Sequence, residues 1–125
     1  MKKLYLAGLV GASVLLFYCQ KTSPLAYLPP AVTTAARQTA PSAAFTLSGH
    51  ATPHAGSVLS FYLWSQVSGP HPLAITDPSR PNTTVSGATP GTYVFELFAT
   101  DDKGATGAAF DTVTVNYNPS FFSMR

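Results

Sequence analysis

The sequence predicts an all-β fold, an antiparallel sandwich of two packed sheets. Three observations support this prediction. Apolar and polar residues alternate over several short segments, which is the pattern of strands with one buried face. Turn residues separate these segments, and 11 prolines and 9 glycines disfavour long helices. The segments are also spaced regularly along the chain, as is typical of β-sandwiches.

The length, composition and charge of the chain limit its size class and its partners. Its 125 residues have room for one small domain and its flanking segments. Charged residues make up only 10%, but apolar residues make up 46%, so the composition does not predict disorder. Seven basic residues less Lys2 and Lys3, which lie in a segment that we expect to be removed, leave five, and these balance the five acidic residues. Without a basic patch, we expect no nucleic-acid partner.

The N-terminal segment, residues 1–18, has the pattern of a signal peptide. Two lysines precede an uncharged stretch of fifteen residues, which is shorter than the roughly 20 residues that span a bilayer and matches the apolar region of a signal peptide. The stretch ends at Cys19 and resembles a bacterial lipoprotein signal, in which the cysteine becomes the acylated first residue of the mature chain. Tyr18 departs from the small residue that is usual before that cysteine, so secretion with a free thiol and an uncleaved N-terminal anchor stay open. All three alternatives place the remaining chain outside the cytoplasm.

The rest of the chain divides into three parts. Residues 19–40 contain prolines among alanines and threonines and show no strand pattern, so we predict a semi-stiff tether with extended geometry. At about 3 Å per residue, it would hold a domain some tens of Å from a membrane. We predict a sandwich over residues 41–117 and a flexible tail over residues 118–125. Cys19 is the chain's only cysteine, so no internal disulfide supports the fold.

Five segments of the sandwich carry strand patterns. They are Ala44–Ser48, Leu59–Val67, Thr83–Ser86, Thr92–Thr100 and Ala109–Tyr117. Gly49 closes the first, and Ser68-Gly69-Pro70 stops the second, because a central strand does not continue through proline. Asp101–Gly104 is typical of a hairpin turn, with acids that bond back to the backbone and a glycine that tolerates positive φ. Between the second and third segments, Leu73 and Ile75 are predicted to plug the core.

Strand parity divides the side chains of the two most apolar segments between core and surface. Tyr62 and Trp64 share one side of their strand, and the aromatic residues of the Thr92–Thr100 segment alternate in the same way. The predicted core residues are Tyr62, Trp64, Tyr93, Phe95 and Leu97. We therefore interpret Trp64 as a structural residue and not as a platform for sugar stacking.

Three stretches of the sequence resemble a known family. They are YLWSQVSGP at 62–70, TTVSGATPGTYVFELFATDDKGAT at 83–106 and FDTVTVNY at 110–117. They look like the PKD-type immunoglobulin-like β-sandwich of bacterial extracellular proteins, and the resemblance covers roughly residues 41–117. It implies an extracellular, non-catalytic domain with a buried tryptophan. Related domains usually carry a longer first edge strand than the shortened Ala35–Ser42 region, so we expect that edge to be poorly covered.

The same topology makes the strand of Trp64 and the Thr92–Thr100 strand neighbours in one sheet. The side chains that face away from the core on these strands should then lie together. They are Phe61, Leu63, Val94, Glu96 and Phe98, beside Thr112 and Thr114. Such a patch would expose roughly a few hundred Å², near the upper range for a monomer. We interpret it as a candidate interaction face; the alternatives are ordinary scattered surface residues, or cover by the tether.

No motif predicts catalysis, a metal or a cofactor. The sequence has no G-x-S-x-G nucleophile turn. The three histidines are predicted to be solvated loop residues: His50, His54 and His71. Many related domains carry an acidic turn before the tryptophan strand, where this chain has TPHAG at 52–56. Because no acid precedes Asp77, a carboxylate-built calcium site in that turn is excluded.

Two functions from different classes fit these observations. The first is a non-catalytic cell-envelope module, anchored by a lipid at Cys19 or secreted, that acts as a spacer, adhesion or assembly element. Its partner would be an envelope protein, or a second copy through weak self-association. The second is a carbohydrate-binding module, because related domains often accompany polysaccharide-degrading enzymes. An exposed, coplanar aromatic pair on a sheet face would favour the second function.

Overall fold

The computed structural model describes residues 28–118, which fold as two four-stranded β-sheets. The strands are β1 Ala31–Thr34, β2 Arg37–Ala40, β3 Phe45–Thr52, β4 Leu59–Ser68, β5 Ala74–Ile75, β6 Asn82–Ser86, β7 Gly91–Asp101 and β8 Thr106–Val115. All regular structure in this part of the chain is strand, so it contains no helix that could cross a membrane. The predicted all-β sandwich is confirmed.

The first sheet has the strand order β1-β3-β6-β5, and the second sheet has the order β2-β8-β7-β4. Every neighbouring pair is antiparallel except β2 and β8, which are parallel. In the pairing of β4 with β7, Trp64 lies opposite Leu97 and Leu63 lies opposite Phe98. The tryptophan strand and β7 are therefore neighbours in one sheet, as the resemblance implied.

The chain enters the sandwich at Ala31, so the predicted tether is wrong for residues 31–40 and the domain begins before the predicted residue 41; residues 19–27 of that tether lie outside the described residues. β1 pairs with β3, and β2 pairs with β8. Each of these strands has only 4 residues, too few for an alternation that distinguishes a strand from a linker. The backbone edges of β3 and β8 supply their hydrogen bonds. Both edges are thus covered, contrary to the expectation of one poorly covered edge.

The chain crosses from the first sheet to the second at Ala35 and Ala36. Ala36 has a φ of 66°, a left-handed conformation that costs an L-residue roughly 1–2 kcal/mol. Its N–H donates to the Thr34 hydroxyl at 3.0 Å, and its carbonyl accepts the N–H of Thr112 at 3.0 Å. These two bonds fix the crossing between β1 and β2.

The core lies between the sheets, and β7 contributes the most buried apolar residues to it. Its largest buried apolar side chains are Leu47, Trp64, Val85, Tyr93, Phe95, Leu97, Val113 and Val115. Tyr62 is half-buried and packs against this cluster, as do Leu73 and Ile75. The rings of Phe45 and Phe95 meet edge-on with centroids 5.9 Å apart, so an aromatic contact joins the two sheets.

Trp64 connects the sheets through hydrogen bonds as well as packing. Its indole N–H donates to the carbonyl of Pro81 at 3.1 Å, which satisfies the polar atom of a side chain that is only 1% exposed. Its backbone N–H donates to the carbonyl of Pro78 at 2.8 Å. The loop before β6 therefore covers part of the edge of β4, which has no strand partner on that side.

Gly49 continues β3 and does not end it, which corrects the predicted strand end at Ser48. A Cβ atom at residue 49 would collide with the side chain of Leu97 and lie 3.2 Å from Cζ2 of Trp64. Glycine thus allows the backbone of β3 to approach the core closely. As a consequence, His50 lies on a strand and not in the predicted loop.

Tyr93 fixes the turn that precedes β7. Its hydroxyl donates to the carbonyl of Thr89 at 2.9 Å and accepts the N–H of Thr89 at 3.1 Å. A tyrosine near the start of this strand that bonds back to the backbone is a recurrent feature of immunoglobulin-like sandwiches. The turn from Thr89 to Gly91 is therefore closed by a side chain from the core.

The chain enters and leaves the sandwich at opposite ends. Pro30 lies against Gly107, near the start of β8. At the other end of β8, Val115 pairs with Gly91. Because β8 has 10 residues, the two ends lie about 30 Å apart.

Replacing Trp64 with alanine should reduce the free energy of unfolding by about 3–5 kcal/mol, since it leaves a cavity and removes the bond to Pro81. A small domain has little more stability than that, so we expect a largely unfolded protein. Urea denaturation followed by circular dichroism measures the change. The matched control is Leu63→Ala, the neighbour on the same strand that is 44% exposed, which should change the free energy by less than about 1 kcal/mol. A Trp64→Ala protein with the parent's midpoint would contradict the structural role.

Candidate functional site

The outer face of the second sheet, hereafter the outer face, is the side of β2, β8, β7 and β4 that points away from the core. The structure places all five residues of the sequence-based candidate set on it: Phe61, Leu63, Val94, Glu96 and Phe98. The two residues from β4 are 47% and 44% exposed, and the three from β7 are half-buried. The part of the face formed by these residues is therefore largely apolar, and the side chains from β4 are accessible to solvent.

The apolar side chains of the outer face contact one another across strands. Leu63 lies directly opposite Phe98 in the register of β4 and β7. The ring of Phe61 reaches Phe98 diagonally, with centroids 6.4 Å apart and an interplanar angle of 48°. Cross-strand pairs of this kind stabilise a sheet, so part of the patch serves the fold.

Sequence reasoning missed Phe110, the most exposed aromatic residue of the face. Phe110 lies on β8 opposite Glu96 and is 54% exposed. Its signal was present in the sequence, because residue 110 has the same strand parity as Thr112 and Thr114, which were expected on this face. Its neighbour Ala108, opposite Phe98, is also exposed.

The outer face also carries one positive and one negative charge. Arg37 lies on β2 opposite Thr112, and Thr112 lies opposite Val94 on β7. Arg37 was missed because residues 19–40 were predicted to be a tether. The ion pairs between residues 28 and 118 are Arg80–Asp77 and Lys103–Asp102, so neither Arg37 nor Glu96 has an oppositely charged partner within the described chain.

A second feature that the sequence analysis did not identify is Asp111, a fully buried acid between the sheets. Its Oδ2 atom accepts a hydrogen bond of 3.0 Å from Nε2 of Gln38, which also donates to the carbonyl of Thr46 at 3.1 Å. The side chain of Gln38 thereby links β2 to both β8 and β3. Oδ1 of Asp111 has no hydrogen-bond partner among the described residues.

The surroundings of Asp111 disfavour its ionised form. Burial raises the pKa of the carboxyl, and the hydrogen bond from Gln38 opposes this only in part. The alternation of Asp111 with the buried Val113 and Val115 could have indicated its position. An acid on the core side of a strand is rare, because aspartate is almost always exposed in folded proteins. The residue type by itself therefore predicts an exposed side chain.

The three histidines do not come together. His50 and His54 are exposed, and no group of three or more potential metal ligands exists within residues 28–118. His71 is partly buried, which corrects the expectation of a solvated loop residue. Its Nε2 atom lies 3.1 Å from Oγ1 of Thr89, and its ring meets Tyr93 edge-on.

The pair of His71 and Thr89 has the spacing of a base and a hydroxyl nucleophile, but its other contacts differ from a catalytic set. Nδ1 of His71 faces the carbonyl of Pro72 at 3.1 Å, where a catalytic histidine is usually oriented by a carboxylate. The Thr89 hydroxyl also lies 3.2 Å from the Tyr93 hydroxyl. We therefore interpret this cluster as a support for the turn before β7. Cys19 and the predicted signal segment lie outside the described residues.

Comparison with known families identifies the fold. The model of the family described as "K319L-like, PKD domain" matches residues 36–115. This match begins within one residue of β2, so it agrees with the earlier start of the domain. No curated protein sequence matches the chain.

Solved structures show the same architecture. The PKD domain from human KIAA0319 is 22% identical, with a TM-score of 0.60 over 77% of this chain and 88% of that chain. The PKD domain from the KIAA 1837 protein is also 22% identical, with a TM-score of 0.56 over 74% and 90%. A nucleoside hydrolase-related hypothetical protein from Saccharophagus degradans, associated with carbohydrate metabolism, is 16% identical with a TM-score of 0.63. Its match covers 73% of this chain but 26% of that chain.

The contribution of Asp111 to the stability of the domain should become less favourable as the pH rises, because burial raises the pKa of its carboxyl. An aspartate in the unfolded chain titrates near pH 3.9. Between that pH and the raised pKa of the folded state, folding takes up a proton, so the free energy of unfolding decreases with rising pH. Asp111→Asn should therefore be more stable than the parent at pH 7, and the difference should shrink below about pH 4.

Denaturation midpoints of both proteins from pH 3 to pH 8 test this expectation. The control is Asp77→Asn, which should act with the opposite sign, because hydrogen bonds from Ser79 lower the pKa of Asp77. That variant should lose stability relative to the parent above about pH 4. Equal pH profiles for the parent and Asp111→Asn would show that Asp111 is not desolvated.

Proposed function

Because the chain belongs to the K319L-like PKD domain family, we propose that it is a non-catalytic module of the cell envelope that acts as a spacer or an assembly element. PKD domains commonly occur in extracellular or surface proteins, as adhesion or spacer modules. In this proposal, the sandwich holds a partner at a fixed distance from a membrane, and the outer face or the distal loops contact that partner.

The observation that carries the proposal is the position of the two ends of the domain. The chain enters beside Gly107 and leaves after Val115, at opposite ends of β8. A domain connected in this way adds its full length of about 30 Å to the distance between whatever precedes and whatever follows it. Domains whose ends lie close together add little length.

The membrane attachment in this proposal is a lipid on Cys19. The segment between Cys19 and Ala31 would then be the tether, shorter than predicted because β1 and β2 belong to the sandwich. The loops near Gly107 would face the membrane, and those near Gly91 would face away from it. His71 and the turn fixed by Tyr93 lie at this distal end.

A non-catalytic role is supported by the chemistry of the described residues. The His71 and Thr89 pair lacks a carboxylate at Nδ1. The buried acid Asp111 lies between the sheets, where substrate has no access. Asp77 and Asp101 accept N–H groups within their own turns, and the Oδ1 atom of Asp102 accepts the N–H of Val58 at 3.0 Å.

The alternative, a carbohydrate-binding module, receives less support from the geometry. Trp64 is buried and donates its indole N–H to Pro81, so its ring is not available to a sugar. Phe61 is exposed but Phe98 is half-buried, and their rings are tilted by 48°, whereas a sugar-binding face would be favoured by an exposed, coplanar aromatic pair. The protein from Saccharophagus degradans is associated with carbohydrate metabolism, but at 16% identity its likeness concerns the fold.

Lipid attachment is expected at Cys19, with the mature chain starting there. Mass spectrometry of the protein extracted from its own membranes should find an N-terminal cysteine with a mass increase of acyl chains. The Cys19→Ser variant should lose this increase and leave the membrane fraction. A mature chain that starts at another residue, or an unmodified Cys19 thiol, would contradict the proposed attachment.

Insoluble glycans should not retain the protein. A pull-down of the full chain against a panel of insoluble polysaccharides should give no more bound protein than a bare matrix does. If one glycan retains the parent and Phe61→Ser abolishes retention, the carbohydrate function replaces the spacer function. Trp64→Ala is unsuitable for this comparison, because it removes the core.

A further inference from the structure

The outer face is complementary in charge to itself. Arg37 on β2 and Glu96 on β7 are the charged residues among the outward-facing positions of the four strands. β8 lies between those two strands, and its residue Phe110 lies directly opposite Glu96. The face thus presents one positive and one negative charge on the two sides of an exposed aromatic ring.

Neither charge is neutralised within the described chain, where the ion pairs involve other residues. A two-fold interface brings the same patch of both subunits together, so that residue i of one copy meets residue j of the other, and the reverse. A patch that carries one acid and one base beside an apolar centre meets this requirement. A partner of a different kind would need the opposite arrangement of charges on its own surface, and nothing on this face favours such a partner.

We propose that the outer face binds a second copy of the chain, with Glu96 of each copy paired to Arg37 of the other around the two Phe110 rings. The apolar margin of this interface is formed by Phe98, Leu63 and Ala108. The proposal deepens the assembly role of the proposed function by naming the partner. It does not depend on the lipid at Cys19, so the two ideas can fail separately.

The size of the face sets the strength of this dimer. Three strands of about 10 residues and one of 4 residues, which lie about 4.8 Å apart, cover roughly 500 Å². Complete cover in both copies would bury about 1,000 Å² in total, at the lower limit of specific interfaces. The dimer is therefore weak and reversible, with a dissociation constant in the micromolar range or above. Two copies on one membrane would reach the required local concentration more easily than free proteins.

Charge reversal tests the interface without disturbing the core. Arg37→Glu gives a face with two acids, and Glu96→Arg gives a face with two bases, so each variant should repel itself. We expect each to raise the dissociation constant at least tenfold. The double variant restores one acid and one base and should regain association. An equimolar mixture of the two single variants should form a heterodimer, although neither variant associates alone.

The association is measured by sedimentation equilibrium of the full chain over a concentration series in a non-ionic detergent. The density of the solvent is matched to that of the detergent, so that the detergent does not contribute to the measured mass. Arg80→Glu is the charge control, because Arg80 lies in a loop outside the face with its side chain 74% exposed. The variant Phe110→Ser tests the apolar centre and should weaken association at least tenfold. Its control is Leu28→Ser, which changes an equally exposed residue outside the sheet and should leave association unchanged. Circular dichroism verifies that each variant is folded.

Three results would overturn the proposal. The first is a parent protein that stays monomeric up to millimolar concentration, which would also be the outcome if another segment of the chain covers the face. The second is association that the single reversals leave unchanged, which would place the interface elsewhere. Loss of association in both single variants without recovery in the mixture would show that the two charges do not pair with each other, and would equally contradict it.

Discussion

The burial of Trp64 between the sheets is the interaction on which the rest of the structure depends. Its ring fills the space opposite β3, where Gly49 supplies no side chain and allows the close approach. Its two N–H groups draw in the loop that carries Pro78 and Pro81. One residue thus fixes the distance between the sheets, the path of an irregular loop and the cover of an open strand edge. A chain with a single cysteine obtains from packing what many small extracellular domains obtain from disulfides.

The first ten residues of the domain depend on a different, polar interaction. β1 and β2 are too short to be stable alone, and the left-handed Ala36 between them is unfavourable. The side chain of Gln38 compensates by bonding to Asp111 and to the carbonyl of Thr46, and so connects both sheets. The burial of an acid with one unsatisfied oxygen weakens the core at neutral pH. We interpret Asp111 as a residue that fixes the position of β2 through Gln38 at a cost in stability.

The outer face supports the fold, and it is also the surface that we propose for association. The contacts between Phe61, Leu63 and Phe98 support the pairing of β4 with β7. The side chain of Phe110, in contrast, is 54% exposed, and Arg37 has no ion-pair partner among the described residues. A solvent-facing side of an antiparallel sheet is normally polar. The departure from that pattern is concentrated where one acid and one base flank an aromatic residue, and a surface of this kind is better suited to association than to solvent. A spacer that also pairs weakly with its own copies would order them along a membrane.

The sequence by itself determined the sandwich, the core parity of β4 and β7, and the turns around Gly69 and Asp101. These are local properties, because alternation and turn residues act within a few positions of one another. Only the tertiary structure decided that residues 31–40 form two strands, that β3 continues through Gly49 and that Asp111 is buried. Four-residue strands and a glycine inside a strand carry no local signal, and their conformation follows from the edge or the ring that they meet. Phe110 was predictable only in part. Its strand parity indicated that it faces outward, but its position beside Glu96 depends on the register of β8 against β7. Register is set by the pairing of two segments that are distant in the sequence.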